Sequence, residues 1–220
     1  MTSQKQVLAY CIAAQKSEVD LPRSGVKGTP VRWIDTGVLR CFASDLGRRM
    51  PDAPVPEMVK EFSQVLQHIF EQTVIIPFRF PTIVESDDVL RQFIETRSVE
   101  YGNALRRLRN KVQMDVRIML ERAAELEPRG QSGKDYLEVR RAQHQQVRSI
   151  LMEFRRVSDL LAQDWVQRDA PSGIRAFALV DRGALDAFVE KLRRVRTPAG
   201  VSARITGPWP PSEFVEIAHE

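Results

Sequence analysis

The segment TGPWPPSEFVEI, residues 206–217, restricts the fold more than any other stretch of this chain. Proline fixes the backbone angle φ and removes an amide donor, so neither a helix interior nor a central strand accommodates such a density of prolines. Phe214 follows at a position from which an apolar side chain can return to the core. The segment predicts a stiff, irregular corner formed by Gly207, Pro208, Trp209, Pro210 and Pro211.

A chain of 220 residues can bury one large core or two smaller ones, and we expect two domains. Hydrophobic residues make up 43% and charged residues 28%, which is typical of a globular protein and excludes wholesale disorder. The formal net charge of +4 permits attraction to anionic surfaces without identifying nucleic acid as the partner. The apolar patch near the amino terminus is too short for a signal sequence or a membrane span, so we expect a cytoplasmic protein.

Hydrophobic periodicity predicts strands throughout the chain. Pro77 restricts the fourth of these strands to a sheet edge or a bulge, because proline cannot donate to a ladder. For residues 112–118 a helix remains the alternative, since Val112, Val116 and Met119 also fit the helical period. The predicted strands are 7–13, 31–35, 38–44, 73–80, 112–118, 174–181 and 201–205.

Four segments carry apolar residues at helical spacing. The third runs from Tyr136 to Trp165 and predicts a helix of about 30 residues, packed across its own domain or paired with a partner helix. A loop at residues 128–135 precedes it, so we divide the chain into domains at 1–126 and 127–220. The inward positions of the other three helices are Val59, Phe62, Leu66, Ile69 and Phe70; Val89, Leu90, Phe93 and Ile94, after an N-cap at Ser86; and Leu185, Phe188, Val189 and Leu192.

The sequence contains no recognised catalytic, cofactor or metal motif. The three histidines lie far apart, and no phosphate-binding loop or nucleophile motif occurs. Cys11 and Cys41 each lie in an apolar run, which favours buried free thiols over a disulfide or a metal site. The arginine run at 106–111 is explained more simply as a solvated face than as a nucleic-acid track, because no aromatic residues interleave it.

Five segments share a pattern with one known family. They are TVIIPFRFPTIV (73–84), NALRRLRNKVQMDVR (103–117), GKDYLEVRR (133–141), RAFALVDR (175–182) and TGPWPPSEFV (206–215). In this order, and across nearly the whole chain, they resemble the blocks of the gas vesicle GvpL/GvpF family. The matching positions, with either a structural or a partner-binding role, are Pro77, Arg79, Phe80, Thr82, Tyr136, Leu137, Thr206, Gly207, Pro208, Trp209, Pro210, Pro211 and Phe214.

Five positions depart from the family pattern. Pro81 and Asn110 stand where the family usually has glycine, Gln113 replaces a glutamate, Ser212 a tyrosine and Glu213 a serine. Glycine permits a positive φ and proline does not, so the turn at Pro81 must be built differently. These departures indicate a divergent member.

The resemblance implies an α+β protein with a modified ferredoxin-like amino-terminal domain and a second α+β domain bearing a long helix. It also implies a non-catalytic accessory role in gas vesicles, located there or in the cytoplasm, with the hydrophobic shell protein GvpA and other accessory proteins as partners. No cofactor, membrane or specific nucleic acid is implied. The long helix at 147–165 is the candidate for pairing with GvpA, and for Trp209 we expect a structural role. The alternatives are a protein-interaction module outside gas vesicles and a weak nucleic-acid binder.

Overall fold

The computed structural model describes residues 6–47, 55–121, 133–170 and 173–215, with only the backbone described at 133–140 and 143. The chain forms two compact units. Unit 1 contains the residues up to Arg109 and again those from Pro210 onward, and unit 2 is Asn110–Trp209. The predicted division between residues 126 and 127 therefore differs from the observed one, because the strand that begins at Lys111 pairs with later strands of unit 2.

The described part of unit 1 combines four strands with three α-helices. The strands form one antiparallel sheet in the order β2-β3-β1-β4, so β2 and β4 are its edges. A single 3-10 turn, Val26–Gly28, lies between the first two strands. The elements are β1 (Gln6–Ala14), β2 (Val31–Thr36), β3 (Leu39–Leu46), α1 (Pro56–Gln72), β4 (Ile76–Val84), α2 (Asp87–Thr96) and α3 (Ser98–Arg107).

Both faces of the unit 1 sheet are covered by helices. On one face the ring of Tyr10 in β1 lies 5.1 Å from the ring of Phe62 in α1. On the other, Val7 and Ala9 belong to a core cluster that includes residues of α2 and α3. Because β1 is buried on both sides, its continuous apolar run predicted a strand correctly.

The apolar faces of the helices in unit 1 differ in part from those predicted. The buried stripe of α1 begins at Met58, whereas Val59 is exposed and Leu66 is half-buried. In α2 the N-cap at Ser86 is confirmed, since its side chain accepts a hydrogen bond from the Val89 amide. The sequence did not predict α3 as a separate helix. The remaining buried residues of α1 are Phe62, Val65, Ile69 and Phe70, and those of α2 are Leu90 and Ile94.

Unit 2 also contains a four-stranded antiparallel sheet, in the order β6-β7-β5-β8. The strand predicted at 112–118 is confirmed and the helical alternative is wrong. The strands predicted at 174–181 and 201–205 are likewise present. The elements are β5 (Lys111–Leu120), α4 (Gly133–Ser158), β6 (Ala162–Ala170), β7 (Gly173–Asp181), α5 (Leu185–Arg193) and β8 (Val201–Trp209), with a 3-10 turn at Arg182–Ala184.

The prediction of one helix reaching Trp165 is wrong at its carboxy-terminal end. α4 ends at Ser158, whose hydroxyl donates to the Phe154 carbonyl at 2.7 Å, and the Leu161 amide then bonds the Ser158 carbonyl at 2.8 Å. Trp165 belongs to β6, and its ring centroid lies 6.1 Å from that of Phe188 in α5. Of the predicted loop at 128–135, residues 128–132 lie outside the described residues.

Candidate functional site

The first family motif lies on β4, an edge strand with an interrupted ladder. Pro77 pairs with Cys11 and Thr82 pairs with Ala9, so residues 78–81 bulge out opposite a single residue of β1. An extra residue in one strand bends it and turns its side chains in new directions. The prediction that Pro77 confines this segment to an edge or a bulge is confirmed.

The bulge is closed by a hydrogen bond and anchored by an aromatic ring. The Thr82 hydroxyl donates to the Arg79 carbonyl at 2.6 Å. The ring of Phe80 lies 5.0 Å from that of Phe62, which also contacts Tyr10, whereas Arg79 is exposed. Phe80 and Thr82 therefore hold the bulge in place, and Arg79 faces solvent.

An exposed apolar patch lies beside this bulge on α2. Val89 and Phe93 are one helical turn apart and are 46% and 44% exposed, although the sequence predicted both as buried. The Phe93 ring lies 6.3 Å from the ring of Phe78 in the bulge, and the Arg97 guanidinium lies 5.7 Å above it. We call Phe78, Val89 and Phe93 the apolar patch; Phe78 is outside the residues that the sequence singled out.

The last family motif lies on β8, which is an edge strand of the sheet in unit 2. Thr206 pairs with Asp115 and Trp209 with Gln113, so the two residues between them face Met114 alone. The strand therefore continues to Trp209 with a bulge, whereas the sequence predicted that it ends before Gly207. An edge strand tolerates the proline because its outer amides have no ladder partner.

Gly207 is the position in this motif where close approach requires glycine. Its φ is +133°, and a Cβ there would lie 2.8 Å from the Met114 sulfur and 2.9 Å from the Gln113 carbonyl oxygen. Gly207 and Met114 also line an open groove of about 580 Å³ together with residues of α5. The motif glycine thus permits the close contact between β8 and β5.

Trp209 does not pack into a core. It is 44% exposed, and its indole N–H approaches the Thr206 hydroxyl at 3.4 Å. The bond is long, so it orients the ring weakly. The indole therefore presents a large apolar surface to solvent.

The buried part of the same motif follows Trp209 and belongs to unit 1. Pro210 and Pro211 are buried, and Phe214 is only 3% exposed. The Phe214 amide donates to the Pro211 carbonyl at 3.2 Å, and the Arg107 guanidinium donates to the Phe214 carbonyl. The motif thus contains the point at which the chain passes from unit 2 back to unit 1.

The remaining family positions are described less completely. Tyr136 and Leu137 lie in the α4 backbone, but their side chains are outside the described residues. Asn110, which stands where the family usually has glycine, has a φ of +59°. Asparagine is one of the few residues that tolerate this left-handed conformation, which explains why it can replace glycine here.

The buried titratable side chains of unit 1 include two cysteines and a tyrosine. Cys11 and Cys41 are buried and free, as predicted, and burial raises the pKa of both thiols. Burial also raises the pKa of Tyr10, whose hydroxyl donates to Ser44 at 3.1 Å. Within the described ranges, no three His, Cys, Asp or Glu side chains are grouped to hold a metal ion. No helix in that part of the chain is long and apolar enough to cross a bilayer.

The comparison with known proteins agrees with the five sequence motifs. The family model of the gas vesicle synthesis protein GvpL/GvpF matches residues 6–216. The chain belongs to the GvpL/GvpF family. Gas vesicle protein L from Streptomyces sp. (strain CB03234) is 30% identical over 234 residues, covering 89% of this chain and 87% of that protein.

Two crystal structures of GvpF share the fold of this GvpL/GvpF member. GvpF from Anabaena sp. PCC7120 superposes with a TM-score of 0.80 at 14% identity and 98% coverage of both chains. GvpF from Microcystis aeruginosa gives a TM-score of 0.75 at 14% identity, covering 96% of this chain and 99% of that one. The resemblance inferred from the five motifs is therefore confirmed, and the mixed α+β class is shared with GvpF. Family membership supports a gas vesicle accessory role.

Proposed function

We propose that this protein is a non-catalytic accessory protein of gas vesicle assembly or structure that binds the shell protein GvpA. Its family supports the gas vesicle role, and the apolar patch of Phe78, Val89 and Phe93 is the observation that carries partner binding. Exposed apolar groups in a cluster are typical of protein-interaction sites. A hydrophobic shell monomer needs its apolar surface covered before polymerisation, because it would otherwise aggregate.

The position of the apolar patch supports this assignment. Phe78 belongs to the bulge between Pro77 and Thr82, two of the positions that match the family. The family motif therefore shapes the strand that brings Phe78 next to the exposed Phe93 ring. Burying such side chains yields about 25 cal/mol for each Å² of apolar surface removed from water.

The long helix is a weaker candidate for GvpA binding than the sequence indicated. Its apolar residues Val147, Ile150, Leu151 and Phe154 are all buried, and the contacts of α4 include β5, β7 and α5. Its apolar stripe is therefore already used inside unit 2. Of the large apolar side chains on the described part of α4, Met152 is the one that is exposed.

We propose two kinds of role for the other family positions. Pro77, Phe80, Thr82, Gly207, Pro210, Pro211 and Phe214 stabilise the two edge strands and the return of the chain to unit 1. Arg79 and Trp209 are exposed, so they are candidates for partner contacts, and Thr206 and Pro208 belong to the β8 bulge. Roles for Tyr136 and Leu137 follow from the family pattern alone.

We further propose that both units are variants of the ferredoxin-like arrangement. The element order β5-α4-β6-β7-α5-β8 in unit 2 corresponds to the β-α-β-β-α-β order of that fold. Unit 1 has the same strand order with a 3-10 turn in place of the first helix, so we propose that it is a modified form of this arrangement. Other gas vesicle accessory proteins remain proposed partners, in the cytoplasm or on the vesicle.

Co-expression with GvpA tests the proposal. We expect affinity-tagged wild-type protein to raise the soluble fraction of GvpA and to retain GvpA on the resin. The double variant Val89→Ser/Phe93→Ser should lose most of this binding, because it removes the exposed apolar side chains while leaving the buried Leu90 and Ile94 in place.

A matched control changes exposed apolar residues elsewhere. Val38→Ser/Leu160→Ser alters side chains that are 67% and 90% exposed and lie outside the apolar patch. It should bind GvpA like wild type, and circular dichroism should show that both double variants are folded. Absence of GvpA binding by the wild type would overturn the proposal and favour an interaction module outside gas vesicles.

A further inference from the structure

Among the edge strands of the two described sheets, β2 is the one whose pairing is uninterrupted. All six of its residues face residues of β3 without a register shift. The ladders of the other edge strands, β4, β6 and β8, each contain a shift. Bulges, prolines and unpaired charges prevent an edge strand from pairing with another chain. The strand β2 contains neither a bulge nor a proline, so its outer edge is competent to pair.

The turn between β2 and β3 determines which backbone groups of β2 point outward. Thr36 and Leu39 form a hydrogen-bonded pair, because they close a two-residue turn whose first residue, Gly37, has a φ of +70°. Such pairs recur at every second residue, so the residues between them turn their N–H and C=O groups away from β3. These outward residues are Val31, Trp33 and Asp35. The Asp35 carbonyl accordingly accepts a hydrogen bond from Arg91 Nε at 3.3 Å, and its second lone pair can accept another.

Both charged residues of β2 are paired within unit 1, and an exposed tryptophan lies at the centre of the outward residues. Asp35 accepts a hydrogen bond from Arg40 Nε at 2.9 Å, and Arg32 contacts Asp87 at 2.6 Å. Trp33 is 45% exposed, and the Arg40 guanidinium lies 4.6 Å from its ring centroid. A second strand can therefore approach this edge without burying an unpaired charge of β2.

We propose that β2 pairs antiparallel with β2 of a second copy of this chain, with Trp33 opposite the partner's Trp33. The two-fold axis at Trp33 also places Val31 opposite the partner's Asp35. Every outward residue then lies in a hydrogen-bonded pair, because outward groups face outward groups along the whole strand. The two indoles form an aromatic pair directly across the strands, which stabilises such a contact.

Hydrogen bonding and charge select this register over its neighbours. A shift by one residue places outward backbone groups opposite inward ones, so the hydrogen bonds cannot form. A shift by two residues in one direction places Arg32 opposite the partner's Arg32, and like charges directly opposite each other destabilise a pair of strands. The same shift in the other direction leaves Val31 without a strand residue opposite it. The strand is thus complementary to itself in one register, which favours a second copy over an unrelated strand.

The contact is small, so the dimer is expected to be weak. A strand of this length spans about 20 Å, and we expect a dissociation constant of about 10–100 µM, as for transient contacts. The strands β2 and β4 are opposite edges of the sheet in unit 1. Dimer formation therefore does not depend on GvpA binding by the apolar patch.

Sedimentation equilibrium of the purified chain between about 5 and about 500 µM tests the pairing. We expect a reversible equilibrium between monomer and dimer for the wild type. Trp33→Lys should weaken the dimer at least about tenfold, because two lysines would then face each other at the axis. Trp209→Lys is the matched control, since Trp209 is 44% exposed on the bulged edge strand β8, and it should change the equilibrium less than about twofold. Circular dichroism shows whether each variant remains folded.

A cysteine at the axis tests the register. In Trp33→Cys the two new thiols face each other with Cα atoms about 5.5 Å apart, which is within the range of a disulfide. Diamide should therefore yield a covalent dimer, taking up the two electrons and two protons that the thiols lose. In Asp35→Cys the two thiols are about 13 Å apart, so this variant should remain uncross-linked. The native Cys11 and Cys41 are buried and provide the wild-type background.

Three results would overturn the inference. The first is a wild type that remains monomeric up to about 500 µM. The second is equal weakening of the dimer by Trp33→Lys and Trp209→Lys, and the third is cross-linking of Asp35→Cys in place of Trp33→Cys. If a monomeric wild type retained GvpA on the resin and Trp33→Lys lost it, the edge would bind a strand of that partner instead.

Discussion

The two units of this protein have the same strand order but leave different surfaces exposed. Their sheets are β2-β3-β1-β4 and β6-β7-β5-β8, and in each the last strand is a bulged edge that carries a family motif. In unit 1, helices cover both faces of the sheet. In unit 2, Arg168, Arg175, Arg117 and Arg204 are paired across the four strands on one face of the sheet.

One sheet topology can therefore present two kinds of surface. Where helices cover both faces, the exposed apolar side chains lie on a helix, as Val89 and Phe93 do on α2. In unit 2, the paired residues Arg117 and Arg175 lie on the sheet itself, with 47% and 44% of their side chains exposed. The first surface suits an apolar partner, and the second is charged.

The largest expected effect concerns the buried face of α4 in unit 2. Phe154→Ala should lower the free energy of unfolding by about 3–5 kcal/mol, because Phe154 is 1% exposed and its loss leaves a cavity under α4. Urea denaturation measures the loss. Met152→Ala on the same helix is the control and should cost less than about 0.5 kcal/mol, since Met152 is 70% exposed. Equal losses would contradict the assigned buried face of α4.

The next largest effect is expected at Gly207, the glycine of the β8 bulge. Gly207→Ala should destabilise the protein by about 2–3 kcal/mol, because the new Cβ would lie within 3 Å of two atoms of β5 and the φ of +133° is strained for alanine. Gly183→Ala should be close to neutral, since a Cβ there meets nothing within 4 Å. Thermal unfolding measures both effects. If both variants melted at the wild-type temperature, the β8 bulge would not require glycine at position 207.

A smaller effect concerns the ion pair that ties α2 to the sheet of unit 1. Arg32 donates to the two carboxylate oxygens of Asp87 at 2.6 and 2.9 Å and also contacts Asp45, with 30% of its side chain exposed. Arg32→Met should cost about 1–2 kcal/mol in urea denaturation.

An exposed pair in unit 2 is the control for Arg32. Arg194 contacts Glu190 of α5, and the two side chains are 75% and 58% exposed, so Arg194→Met should cost less than about 0.5 kcal/mol. If the two arginine variants were equally stable, the pair between Arg32 and Asp87 would not anchor α2.

The smallest expected effect concerns the left-handed backbone conformation of Asn110. Asn110→Gly should raise the free energy of unfolding by a few tenths of a kcal/mol, up to about 0.5, because glycine adopts a φ of +59° without strain. Asn103→Gly within α3 should lower it by a similar amount, since glycine weakens a helix interior. If thermal unfolding showed that both variants are more stable than wild type, backbone conformation would not determine whether glycine stabilises or destabilises these positions.

Sequence periodicity predicted elements whose burial is simple. β1 is buried on both faces and α5 has one inward stripe, so local patterns were sufficient. In β6 the apolar Trp165 and Val166 are adjacent and do not alternate, and Trp165 also lies at helical spacing from Leu161. The helical period therefore extended beyond the true end of α4.

The candidate surfaces required information that no local pattern contains. The motif match identified the β4 segment, but the bulge that brings Phe78 to Phe93 depends on the register between β4 and β1. The paired arginines of unit 2 lie on four strands, and Arg117 and Arg204 are distant in the sequence. Register across strands depends on tertiary pairing, so the sequence showed these residues as separate charges.

A pull-down of GvpA by three forms of the protein tests whether the apolar patch is the GvpA-binding surface. The forms are wild type, Val89→Ser/Phe93→Ser in unit 1 and Arg168→Gln/Arg204→Gln in unit 2, compared at equal concentration. We expect the unit 1 variant to lose most of the GvpA and the unit 2 variant to retain it. Retention of GvpA by the unit 1 variant would contradict the assignment of GvpA binding to the apolar patch.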